Sequence, residues 1–98
     1  MTPRFRFRLQ PVLDHRTRRE ELMQQELARS LRALGAQQER AVAAERAVDL
    51  ELAALRGLMT GPIELHTLRQ KHADLALARA RAAHERAAAD RLEAVAAE

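Results

Sequence analysis

The side chains able to do chemistry are four histidines, one serine and scattered carboxylates, and no cysteine accompanies them. His15, His66, His72 and His84 include no pair four residues apart, and the six-residue step from His66 to His72 puts those two rings on different faces of a helix. Metal ligation needs convergent donors, so these histidines are read as surface residues and no metal site is expected. Ser30 has no base at a fixed spacing from which it could be activated, and Thr60 reads as a turn or capping residue. No glycine-rich loop is present to cradle phosphates, so no cofactor is expected and any link to ATP must lie in a partner. The carboxylates are spread along the chain with nothing to gather them in a concave site, which argues against an enzyme acting on a small-molecule substrate. Arg81–Glu85 and Arg86–Asp90 are spaced four apart and read as pairs along a solvated helix face.

The remaining chemistry is charge. Residues 1–19 carry Arg4, Arg6, Arg8, Arg16, Arg18 and Arg19 against a single acid, Asp14, leaving +5 there and −2 in the rest of a chain whose net charge is +3. A basic end on a near-neutral body suits an acidic protein surface or phosphate. Phe5 and Phe7 are the only aromatics, and they alternate with those arginines.

The element that must carry this basic end is a long helix. In steps of four and three the chain reads Leu27, Leu31, Leu34, Gln38, Ala41, Glu45, Val48, Leu52, Leu55 and Met59, and the seven-residue series Leu27, Leu34, Ala41, Val48, Leu55 is apolar throughout. Five heptads in register describe a coiled-coil seam. Leu9, Leu13 and Met23 continue the stripe towards the start, interrupted by Arg16 and Glu20. Gly57-Leu58-Met59-Thr60-Gly61-Pro62 is the one cluster of helix breakers. Its glycines suit the left-handed conformations that end helices, and Pro62 suits the opening turn of the next one. Gly35, alone within a strong pattern, reads as tolerated inside the helix.

Beyond that break, Leu65, Leu68, Leu75, Ala78, Ala82, Ala89, Leu92 and Ala96 share one face. A fold-back centred between Gly61 and Pro62 sets Leu55 against Leu68, Val48 against Leu75, Ala41 against Ala82, Leu34 against Ala89 and Leu27 against Ala96. The intervening layers include Leu31 with Leu92 and a polar layer of Gln38 with Glu85. The expectation is therefore an all-α fold, an antiparallel two-helix coiled-coil hairpin occupying residues 1–98 as a single unit. Its parts are an extended lead-in over 1–10, a first helix over about 11–57, a loop over about 58–62 and a second helix over about 63–98. At 1.5 Å per residue the second helix, ~54 Å long, covers the first, ~70 Å, back to about Leu22 or Met23. Leu9, Val12 and Leu13 are then left exposed. No apolar run is long enough for a membrane span or a signal peptide, which places the chain in the cytoplasm.

The opening run Phe5-Arg6-Phe7-Arg8-Leu9-Gln10-Pro11-Val12-Leu13-Asp14, followed by Arg-rich and then Glu-rich helix, resembles the start of FliJ-type proteins of the flagellar type III export apparatus. The likeness covers about the first quarter of the chain. It implies a hairpin similar to the rotor stalk of rotary ATPases, set in the central pore of the hexameric export ATPase ring. It also implies contact with the export gate protein, escort of export chaperones, and peripheral association with the inner-membrane export apparatus. The residues to which partner binding is carried over are Arg4, Phe5, Arg6, Phe7, Arg8, Leu9, Arg16, Arg18 and Arg19. Family members often carry aromatics early in the second helix, where this chain has Lys71 and Asp74. The alternative is an Arg-rich coiled-coil arm that binds nucleic acid; sixteen arginines to one lysine could serve phosphates. Nucleic-acid binders usually lay their bases along one stripe, however, and acids interleave them here after Arg19.

Overall fold

The computed structural model describes residues 3–97, with side chains described from Leu9 to Ala97. Two helices account for nearly all of it: α1, Pro3–Leu58, and α2, Leu65–Ala97. Alanine, leucine, arginine, glutamate and glutamine dominate both, and α2 contains neither glycine nor proline. The chain divides into two units, Met1–Arg32 and Ala33–Glu98. The second is an antiparallel coiled-coil hairpin made by the later part of α1 and all of α2.

The hairpin core is a single thin seam. Ala41, Ala44 and Leu55 of α1 and Leu75, Ala82 and Ala89 of α2 are buried, with Leu34, Val48, Leu58, Leu68 and Ala78 half-buried beside them. The heptad series from Leu34 to Leu55 thus faces inward as expected. Two polar pairs report the register directly. Gln37 Nε2 donates to the Glu85 carboxylate at 2.5 Å and to its backbone carbonyl at 3.1 Å, and Lys71 Nζ lies 3.9 Å from Glu51 Oε2. Both pairs sit within one residue of the fold-back that aligns Ala41 with Ala82 and Val48 with Leu75.

The intervening series differs from the expected one. Gln38, Glu45 and Met59 are exposed, whereas Gln37, Ala44, Glu51 and Leu58 turn inward; Leu52 is half-buried on the flank. Stepping four and then three from Leu27 selects one flank of the heptad positions, and the helix uses the other. Ala44 thereby takes a buried place that would otherwise fall to the Glu45 carboxylate, while the same flank turns Glu51 inward, where its Oε2 is buried without a hydrogen bond and has Lys71 Nζ 3.9 Å away. The polar layer is therefore Gln37 with Glu85, and Gln38 is outside it.

Boundaries and turn chemistry also differ. The opening is helical from Pro3, not extended over the first ten residues. Proline at a helix start loses nothing by lacking an N–H, and an isolated alternating segment has no neighbouring strand to complete a sheet. Pro11 is accommodated inside α1, where it forgoes one backbone bond. The connection runs over residues 59–64, and neither Gly57 nor Gly61 has positive φ. The end of α1 is closed instead by tightened bonds, Met59 N–H to the Arg56 carbonyl at 3.2 Å and Thr60 N–H to the Gly57 carbonyl at 3.4 Å. Thr60 Oγ1 donates to that same Gly57 carbonyl at 2.7 Å, so no left-handed residue is needed. At the start of α2 the Glu64 carbonyl accepts from Leu68 N–H, and Thr67 Oγ1 donates to the Glu64 carboxylate. Gly35 lies within α1 as expected.

In the unit Met1–Arg32 the described residues, from Pro3 on, form a single length of helix, and every described side chain there, from Leu9 to Arg32, is exposed. Leu9, Val12 and Leu13 are exposed as the sequence predicts, and Leu27 and Leu31, which the heptad pattern places in the two outermost layers, are also exposed. Their intended partners Leu92 and Ala96 are exposed as well. Within the second unit the inward-facing residues run from Leu34 on α1 and as far as Ala89 on α2. Among the described residues no helix is long and apolar enough to cross a membrane.

Candidate functional site

The surface to which partner binding was carried over is the start of α1. The helix brings Leu9, Arg16, Arg18 and Arg19 within three turns of one another, all exposed. The side chains of Arg4, Phe5, Arg6, Phe7 and Arg8 lie outside the described residues; their backbone belongs to α1. Local bonds stiffen the segment just after Pro11. Gln10 Nε2 donates to Asp14 Oδ1 at 3.0 Å, Thr17 Oγ1 to the Leu13 carbonyl at 3.0 Å, and Arg18 Nε to the Asp14 carbonyl at 3.4 Å. Among the described residues, none of Arg16, Arg18 and Arg19 is in an ion pair. Their charge is fully presented to solvent, which suits distributed electrostatic attraction better than one deep contact.

The hairpin contributes a different kind of polar feature. Arg86 forms a two-pronged pair with Glu45 across the seam, with Nη2 on Oε1 and Nε on Oε2 at 3.3 Å. The guanidinium hydrogen bond is the main reason the Glu45 carboxyl is held below its ordinary range and the Arg86 guanidinium above its own. Arg86 was expected to pair with Asp90 along its own helix. Asp90 acts on it only at longer range, because the facing helix offers a carboxylate in a geometry that both guanidinium nitrogens can reach. Glu85, expected to pair with Arg81, accepts from Gln37 instead. Lys71 stands between Glu51 at 3.9 Å and Asp74 at 4.0 Å, so the two residues found where the resembled family often has aromatics form a charged layer. Sequence reasoning missed Glu51 and Gln37 as inward-facing groups. The signal available was that each lies three residues after a member of the apolar heptad series, Val48 and Leu34.

A shallow open groove runs beside the seam, floored by Ala43, Ala44, Ala47 and Ala78, with Arg40 and Arg81 at its rim. Nothing in it resembles a catalytic constellation. Among the described residues no group of three or more histidines and carboxylates stands close enough together to hold a metal ion.

Comparison with protein-family models, with curated proteins and with solved structures returns no match to this chain. The functional reading therefore rests on the residues and their arrangement.

Proposed function

We propose that this chain is a central-stalk and adaptor component of the flagellar type III protein export apparatus, without enzymatic activity of its own. In this reading it binds the hexameric export ATPase and the export gate and escorts export chaperones, peripherally associated with the membrane apparatus. The observation that carries the proposal is the opening run from Phe5 to Asp14, which resembles the start of FliJ-type proteins and sits at the head of a long helix. The antiparallel hairpin is the architecture that the resemblance implies, and the exposed basic segment is a fitting surface for acidic loops of a ring. A shaft must be held without being locked, and many weak charge contacts at ~0–1 kcal/mol each meet that need.

The deciding experiment reverses Arg4, Arg6 and Arg8 together to glutamate and measures binding to the export ATPase and stimulation of hydrolysis. Binding is expected to weaken and stimulation to vanish, with helicity retained, and added salt is expected to weaken the parent complex. A triple variant that binds and stimulates like the parent at low salt would sink the charge-docking reading. Loss of activity only on changes between Leu58 and Leu68 would move the contact to the loop end.

A further inference from the structure

The first unit exposes an apolar stripe with a symmetry of its own. Leu9, Leu13, Met23 and Leu27 follow one side of α1, with Arg16 and Glu20 filling the two places between them, and all six are exposed. Read from either end about Arg18, the stripe runs leucine, a large apolar residue, then a charge: Leu9, Leu13, Arg16 in one direction and Leu27, Met23, Glu20 in the other. The two charges are opposite.

We propose that this segment, when it is not docked on another partner, pairs with the same segment of a second copy of the chain, antiparallel, about a two-fold axis at the level of Arg18; the two associations exclude each other. In that register Leu9 meets Leu27 of the second copy, Leu13 meets Met23, and Arg16 meets Glu20. The two-fold axis makes each contact twice, as an isologous interface requires. Six layers result, four apolar and two oppositely charged. A parallel pairing would instead set arginine on arginine and glutamate on glutamate. Sliding the antiparallel pair by one heptad either way would put Arg16 and Glu20 against leucine or methionine. Charge complementarity therefore selects both direction and register. The hairpin already contains the same device, with Glu51 and Lys71 facing each other across its seam. One flank of the stripe, Gln10, Thr17 and Gln24, is uncharged; the other carries Val12, Arg19 and Glu26, with Arg19 near its own copy across the axis, which limits the strength of the pair, and Pro11 and Arg18 lie on the outer face. The seam is only ~27 Å long, so the dimer is a weak one, expected at concentrations on the order of 100 µM.

The 98-residue sequence contains no cysteine, which makes the test direct. L13C and M23C are prepared separately and oxidised alone and mixed. Antiparallel pairing predicts a mixed disulfide dimer far in excess of either self-bridged one, because residue 13 lies ~15 Å along the axis from its own copy, beyond disulfide reach. Sedimentation of the cysteine-free chain should show reversible dimers. Arg16→Glu should weaken them by about tenfold or more, and the exchanged variant R16E/E20R should restore them. Circular dichroism below the dimer's concentration range should be the same for all variants, since these positions are exposed in the single chain. The proposal is overturned by a parent chain that stays monomeric to ~1 mM. It is equally overturned by L13C bridging to itself as readily as to M23C, by dimers indifferent to Arg16→Glu, or by failure of the exchange to restore them.

Discussion

Leu75 offers the sharpest test of which face of α2 is the core. It is 5% exposed, whereas Leu77, two residues along the same helix, is 72% exposed. Leu75→Ala removes three carbons from the seam, and at ~0.8 kcal/mol per buried methylene the transfer loss is ~2.4 kcal/mol. A cavity contribution normally raises such values towards 5 kcal/mol, but a two-helix seam is open at its flanks and closes over the gap easily. The expected cost is therefore about 2–3 kcal/mol. For a cooperative unit the size of the hairpin that lowers Tm by roughly 8–20 °C. Leu77→Ala deletes the same atoms from solvent, and alanine is at least as good a helix former, so its effect should fall within about 0.5 kcal/mol of zero. Thermal and urea unfolding followed at 222 nm, with the two variants beside the parent, provides the measurement. Equal destabilisation by both substitutions, or a larger loss from Leu77→Ala, would refute the assignment of the seam.

The remaining predictions test particular contacts. Gly35→Ala should stabilise by about 0.5–1 kcal/mol, because Gly35 is helical, has no positive φ, and a Cβ there meets nothing within 4 Å; a lower urea midpoint would contradict this. Lys71→Ala leaves Glu51 inward-facing without its partner and should cost about 1 kcal/mol, whereas replacing both by leucine should stabilise the hairpin, as read by the same unfolding curves. Glu45 has a depressed folded pKa, so its contribution is present above its unfolded value near 4.5 and lost as pH falls through the lower folded value. Glu45→Gln should therefore flatten the acid limb of stability against pH below about 4.5, with parent and variant converging at the acid end. Cysteines at 48 and 75 should oxidise within one chain, and predominantly intermolecular bridging at high dilution would favour a parallel dimer of long helices.

The sequence by itself determined the class and the fold-back. Strong helix formers on both sides of one cluster of breakers leave little but two helices, and two apolar heptad series that share a centre leave one antiparallel alignment. Ala41, Val48, Leu55, Leu75, Ala82 and Ala89 face inward because a seven-residue period holds the same side of a helix regardless of anything else in the chain. What the tertiary structure decided was the flank joining them. Gln37 and Glu51 turn inward and Gln38 and Glu45 outward because Gln37 reaches Glu85, Lys71 stands beside Glu51, and Ala44 takes a place where a carboxylate would have been stranded. None of these partners is a neighbour in sequence, so the spacing that makes Gln37 and Glu51 candidates for the seam does not by itself choose them over Gln38 and Leu52. The same holds for Arg86, drawn to Glu45 across the seam in preference to the acid four residues along its own helix. It holds also for the turn, where Thr60 closes the end of α1 and relieves both glycines of the left-handed role their type suggested. Periodicity is a property of one helix. Pairing belongs to two, and it exists only once they are packed.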